Sequence, residues 1–329
     1  MKKDSANGRW LIWRVSTDII KEHPLVGVGF GRFASEYGEA QARFFVEGKG
    51  SSAQMMIADS PEYAFNEYVQ SSVELGLIGL VLFITVIICL FYPRKSKTAK
   101  EKYALLSFLV FAAFSYPFSV LPLSILFIFL LALSASSTRK YSFTLPKWLR
   151  IAGMTVCLCI TAYGAYQIFP KRAAYRSWSS MQMLYNAGVY QGSVQKYRIQ
   201  YPLLRHEKQF LFEYGQCLSK SGQYIESNRI FEEYLCYGSD PMVYNCMGNN
   251  YKALEEYQKA EDSYIRASQI VPNRHYPLYL LMKLYMETGQ TGKAKETAKI
   301  LLDKPVKVQS TAIKEMRQEA RKLTNVHPQ

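Results

Sequence analysis

The chain has 329 residues, enough for two domains, and a formal net charge of +14. That excess suits a nucleic-acid partner, but its distribution argues against one, because residues 1–70 hold 8 Lys/Arg against 9 Asp/Glu and many of the other cations flank apolar runs, as membrane topology produces. The six cysteines exclude a zinc-ribbon or a readable disulfide framework: Cys157 and Cys159 form a CxC with no two further ligands nearby. Pairing among Cys217, Cys236 and Cys246 is left open, and neither a metal nor a cofactor is expected.

Residues 1–70 mix short apolar pieces with Gly, Ser and acidic residues and read as a loop region holding one short helix, Trp10–Ile20. Trp10, Trp13, Thr17 and Ile20 fall on one face of it. That face suits the headgroup layer of a membrane as well as packing on the rest of the protein. His23-Pro24 ends the helix, since a residue before proline leaves helical backbone, and His23 reads as a turn residue. Gly27, Gly29 and Gly31 follow. Alternating glycines cradle phosphate in some folds, but neither a P-loop lysine nor a βαβ pattern surrounds them, so the expectation is a tight turn with close backbone approach.

Leu75–Tyr92 is an uncharged run of 18 residues, about 27 Å of helix against a hydrocarbon layer of about 30 Å. Five Lys/Arg between Arg94 and Lys102 mark the next loop as cytoplasmic and place residues 1–70 outside. Residues 103–138 carry no charge. With Pro117 and Pro122 near their middle they predict two short spans, 103–119 and 121–136, or a re-entrant hairpin. Arg139, Lys140, Lys147 and Arg150 form a second cytoplasmic loop, and Ile151–Phe169 crosses outward. The expectation is an all-α protein with about four spans, or three plus the re-entrant hairpin, over residues 71–170.

Residues 171–329 repeat with a period near 34, the tetratricopeptide pattern of stacked helix pairs. The clearest unit is Pro241–Pro272, with Gly248 and Tyr251 on its first helix and Tyr257, Ala260, Tyr264 and Ala267 on its second. Gly215 precedes Gly248 by 33 residues and Tyr285 follows Tyr251 by 34. A weaker copy around Leu184, Gly188, Tyr190 and Tyr197 opens the array, and Thr311–Leu323 reads as a capping helix. Tyrosines at this spacing are expected to be core. The array's concave face is available to a protein partner, a peptide or a glycan.

Gly8-Arg9, Trp13, His23-Pro24-Leu25, Gly27–Gly31, Asn66 and Glu74–Gly79, in this order, resemble the C-terminal half of the O-antigen ligase/polymerase family over roughly residues 1–135. Members of that family often append tetratricopeptide repeats. The resemblance implies a multi-pass bacterial inner-membrane glycosyltransferase, with residues 1–70 and the repeats in the periplasm. Its substrate would be a glycan on an undecaprenyl-pyrophosphate carrier, and its acceptor lipid A-core, another repeat unit or a protein hydroxyl.

It further implies a catalytic set of Arg9, Asn66, Glu67 and Glu74 and a substrate-binding set of Arg9, Arg14, Arg32, Gly29 and Gly31. Fixed arginine charge suits a leaving pyrophosphate. The family's His-Asn pair falls on Phe65-Asn66, so the expected base is missing and Glu67, Asp59 or Glu62 stands nearest. Met1 opens inside the loop motif with no preceding spans and no signal-peptide core, which leads to the expectation of a truncated or split product. A non-catalytic membrane scaffold and a protein O-oligosaccharyltransferase are the competing readings.

Overall fold

A computed structural model describes residues 2–91, 99–136 and 146–324, and helices are the only regular elements among them. The basic segment 94–97 and Arg139–Lys140, on which the sequence-based orientation rests, lie outside the described residues.

Residues 1–70 are more than a loop. They fold as three helices, α1 (Lys2–Glu22), α2 (Phe33–Val46) and α3 (Ser52–Ile57). Only part of α1 was legible as a helix. On α1 the buried residues are Leu11, Ile12, Val15 and Ile19, and on α2 Phe33, Tyr37, Ala40 and Phe44. Both sets follow a helical stripe, so the two helices bury one face against each other, sealed by Ala58, Ala64 and Val73. The tryptophan face of α1 is divided, with Trp13 and Ile20 packed against the edge of this core and Thr17 exposed. Trp10 is exposed, while Trp13 turns inward and donates from Nε1 to the Ala64 carbonyl at 2.8 Å.

The next helix, α4 (Glu67–Phe91), starts earlier than the expected span and is broken at Gly76, whose φ is 65°. An unbroken helix would bond Leu77 N–H to Val73 and Ile78 N–H to Glu74. Instead the segment 24–29 is spliced into the gap. Leu77 and Ile78 donate to the carbonyls of Pro24 and Leu25 at 2.8 and 3.2 Å, while Val28 and Gly29 donate to the freed carbonyls of Val73 and Glu74, each at 2.9 Å. Two lost helical bonds are replaced by four. A Cβ on Gly27 would lie 2.5 Å from the Val73 oxygen, and one on Gly76 2.3 Å from the Leu25 oxygen. The expected close backbone approach of the glycine turn is thus present, with helix α4 as its partner.

Beyond the break, α4 is apolar and packs with α5 (Ala99–Ala112) and α6 (Leu121–Ser136) through Phe83, Ile87, Leu105, Phe108, Phe127 and their neighbours. The span expected at 103–119 stops at Ala112, where a turn and the short 3₁₀ segment Pro117–Ser119 begin. Among the described residues two helices are long and apolar enough to cross a membrane, at Glu67–Cys89 and within Lys147–Asn186. The apolar parts of the hairpin, Lys102–Ala112 and Leu121–Ser134, reach only about 16 and 21 Å at 1.5 Å per residue. Helix α7 (Lys147–Asn186) runs unbroken through Pro170, so the expected boundary at 170/171 falls inside a helix. Its apolar half, from Ile151 to Phe169, is exposed along its whole length.

Six helices then stack in antiparallel pairs behind α8 (Gln191–Leu204): α9 (Lys208–Lys220) with α10 (Tyr224–Leu235), α11 (Pro241–Ala253) with α12 (Tyr257–Ile270), and α13 (Tyr276–Glu287) with α14 (Thr291–Asp303), capped by α15 (Thr311–Thr324). The pairing follows the expected repeat. At the two clearest crossings a glycine faces a ring: a Cβ on Gly215 would sit 2.5 Å from Phe231, and one on Gly248 2.4 Å from Tyr264. The buried Glu213 carboxylate joins the end of α7 to the array by accepting from Trp178 Nε1 (2.7 Å), Gln182 Nε2 (2.9 Å), Tyr197 Oη (2.9 Å) and Gln209 Nε2 (2.9 Å). All six cysteines are free.

Nothing in the sequence announces that the array docks onto the N-terminal helices. Gln41 donates to the Ile270 carbonyl at 2.6 Å, Asn273 to that of Ala58 at 2.6 Å, and Ser239 to that of Ala34 at 2.8 Å. Gly38 is what lets the array approach, since a Cβ there would lie 2.1 Å from Ser239. Two outcomes follow. Gly76→Ala should cost about 2–3 kcal/mol and lower the thermal unfolding midpoint in detergent, because the new Cβ meets backbone that has no room to move. Gly38→Val should instead release the array, read as faster protease cleavage between it and α2 with the array's own helicity unchanged.

Candidate functional site

The splice at Gly76 redirects the polar first turns of α4 and opens a cavity of about 640 Å³ beside them. Glu67, Gln70, Ser71 and Glu74 line it from α4, and Gly31 and Arg32 from the glycine turn. Leu75, Gly79, Phe83 and Phe118 form an apolar side. Both Glu67 and Glu74 are buried. Glu67 accepts from the Phe118 N–H at 2.7 Å, which ties the hairpin tip to α4. Glu74 accepts from Gln70 Nε2 at 3.4 Å and lies beside the N–H groups of Gly31 and Phe33. Arg32 pairs with Glu36 at 3.3 Å. Burial first, and then the charge on Glu62, pushes the Tyr63 phenol at the rim upward.

A second cavity of about 320 Å³ lies on the other side of an aromatic stack and is lined by Gly8, Arg9, Tyr37, Gln41, Asp59 and Phe65. Tyr63 stacks on Tyr116 at 4.6 Å, and Phe65 meets the same ring edge-on at 5.3 Å. Arg9 places its guanidinium 5.3 Å from the Phe65 ring and donates to the Phe114 carbonyl at 3.1 Å. Phe65 itself has φ 54°, a left-handed backbone that costs an aromatic residue of order 1–3 kcal/mol. The Tyr116 ring and the Arg9 cation hold it there.

The residues singled out from sequence are therefore divided. Arg32, Gly31, Glu67 and Glu74 share the larger cavity. Arg9 lines the smaller one. Gly29 gives its N–H to the splice. Arg14 is exposed on α1, over the Phe44 ring at 5.1 Å, and lines neither cavity. Asn66 caps α4: its side-chain oxygen accepts from Tyr68 and Val69 N–H at 3.0 and 3.1 Å. Of the alternative carboxylates, Glu62 lines the larger cavity and Asp59 the smaller. Among the described residues no group of His, Cys, Asp and Glu is arranged to hold a metal.

Three lining residues had no signal in the sequence: His206, Lys208 and Tyr237. They come from the repeat array, with the His206 ring nitrogen 2.8 Å from the Tyr237 hydroxyl and Lys208 2.9 Å from Glu62. Only the docking of the array places them there.

These features define a helical protein with apolar membrane-length helices, a polar cavity at the head of one of them and a docked helix-pair array. Residues 1–84 match the profile of the O-antigen ligase family, Wzy_C, so the resemblance read from the motifs holds over that stretch. The family is membrane-associated and supports a glycosyltransferase-like function, which the two apolar helices fit. No curated protein matches. Similar solved structures include MamA 41-end from Desulfovibrio magneticus RS-1, at 18% identity over 40% of this chain and 74% of that one, TM-score 0.38. Two further crystal structures of MamA align at 16% identity over 46% and 88% of the two chains (TM-score 0.37) and at 18% over 44% and 90% (TM-score 0.36).

If Asn66 acts through its cap, Asn66→Ala should lose about 1 kcal/mol of stability. Asn66→Ser, a good cap, should recover most of it. Thermal unfolding of the two variants measures this directly.

Proposed function

We propose that the chain transfers a glycan from an undecaprenyl-pyrophosphate carrier to an acceptor hydroxyl, on lipid A-core, a growing glycan or a protein. The observation that carries this is the larger cavity. Its wall of Leu75, Gly79, Phe83 and Phe118 continues the apolar half of α4, and its other wall holds Glu67, Glu74 and Arg32. A ligand that is a lipid at one end and a charged glycoside at the other fits such a division.

In this reading Glu67, positioned by the Phe118 N–H, takes the proton of the acceptor hydroxyl. The hydroxyl oxygen bonds to the anomeric carbon, and the bond from that carbon to the pyrophosphate oxygen breaks. The undecaprenyl pyrophosphate leaves with the electron pair, and Arg32 offers its paired N–H groups to the departing charge. Glu67 thus replaces the base that Phe65 lacks. Phe65 lies with Arg9 in the neighbouring cavity, where a packing role for both is the simpler account.

The topology of this proposal has four crossings of the bacterial inner membrane, by α4, α5, α6 and α7, with residues 1–70 and 171–329 in the periplasm. Docking of the array onto α2 supports it, because residues before α4 and after α7 must then lie on one face and the number of crossings must be even. The hairpin tip agrees: Phe114 and Phe118 meet Arg9 and Glu67 on that same face. As the hairpin helices are short, local thinning of the bilayer accompanies them.

Deleting the gene should change the banding of surface polysaccharide on a gel, and the wild-type gene, but not Glu67→Gln, should restore it. Unchanged banding and unchanged glycosylation of periplasmic proteins in the deletion strain would leave only the scaffold reading, which the apolar Phe65 favours.

A further inference from the structure

We propose that the repeat array is part of the substrate site itself, with Lys208 as a ligand for the phosphates of the lipid carrier. This rests on the carrier reading above and extends it to a residue outside the part of the chain that matches the family.

Four observations converge. Lys208 lines the larger cavity together with His206 and Tyr237. Its ammonium is paired with Glu62 at 2.9 Å, and that carboxylate side chain is 59% exposed against 28% for Lys208. So exposed a counter-ion holds its partner weakly, and a phosphate entering the cavity can take its place. The other carboxylates of the cavity lie beside backbone N–H groups, Glu67 at Phe118 and Glu74 at Gly31 and Phe33. The other cation of the lining is Arg32, which pairs with Glu36 at 3.3 Å and in the reading above receives the departing charge, so Lys208 adds a second positive contact.

The array does not lie there by accident of the Lys208–Glu62 pair. Gln41, Ser239 and Asn273 anchor it through backbone carbonyls, and Gly38 is shaped to receive it. The pair is therefore free to open while the docking stays intact. In the ligand-bound state Lys208 donates to phosphate oxygens, and Glu62 turns to solvent.

The test uses the full chain in detergent micelles and measures the binding of undecaprenyl pyrophosphate, inorganic pyrophosphate and uncharged undecaprenol. Lys208→Ala should weaken undecaprenyl pyrophosphate on the order of tenfold, as expected for loss of one charge-assisted contact, and leave undecaprenol unchanged. Glu62→Gln should tighten it, because the lysine no longer has a competitor. A simple structural tether predicts the opposite sign, with both variants weakening binding and loosening the array alike. Circular dichroism and protease sensitivity of each variant report that loosening separately.

If wild-type chain binds the lipid and Lys208→Ala binds it equally well, the role of the array is overturned and the carrier reading stands. If wild-type chain binds no undecaprenyl pyrophosphate, both fall. If inorganic pyrophosphate binds as tightly as the lipid, with the same two variant effects, Lys208 is a phosphate ligand but the apolar wall is idle, and the lipid half of the proposal is overturned.

Discussion

The interaction on which the rest depends is the exchange of backbone hydrogen bonds at Gly76. A helix in an apolar environment cannot leave N–H or C=O groups unpaired. The break in α4 persists because Pro24, Leu25, Val28 and Gly29 supply the missing partners. The splice has two consequences. It fastens the chain just after α1 to the middle of α4, so the N-terminal helices are held at the head of the membrane segment. It also turns Glu67 and Glu74 away from the apolar line of the lower helix, which is why two carboxylates can sit at the start of a membrane-length helix and face a polar space.

A second constraint acts at longer range. Three of the side chains that join the array to α2 and α3, Gln41, Ser239 and Asn273, reach for carbonyl oxygens rather than for other side chains. Such bonds place the partner backbone accurately and need no matched charge. The charged contacts at the same border, Arg274 with Asp59 at 3.3 Å and Lys208 with Glu62, are more exposed and contribute less. Tyr244 and Arg266 both reach Glu39. The border is thus anchored near its middle and loose toward the cavity.

How much of this was legible depended on whether the signal is local. The period of the repeats was readable because Gly215 and Gly248 must each make room for a ring sixteen residues later, Phe231 and Tyr264, and such pairs lie within one unit. The glycine turn was readable as a close approach, but what it approaches lies some fifty residues on, and a glycine carries no mark of its partner. Helix α2 was missed because its sequence, FASEYGEAQARFFV, has a glycine at its centre. That glycine, Gly38, faces the array, so the feature that hid the helix is the one that docks it. The departure of Phe65 from the expected His-Asn pair was plain, but not its setting: Phe65 lines a different cavity from Glu67, with the Tyr116 ring of the hairpin against both Tyr63 and Phe65. His206 and Lys208 could not have been found, since nothing local distinguishes a turn or helix-start residue of a repeat that borders a cavity from one that borders water.

Helix α7 gives the assembly a mechanical character. It continues from its apolar half into the first repeat without interruption, and the array is fastened at its far side to α2, which the splice ties back to α4. From α7 through the array to α2, and by the splice to α4, the described helices are joined in one continuous series of contacts. Pro170 is the place in that series where a helical hydrogen bond, to the Tyr166 carbonyl, is absent by chemistry. A change of bend at this point would alter the angle between the apolar half of α7 and the array while the array's border with α2 stays in place.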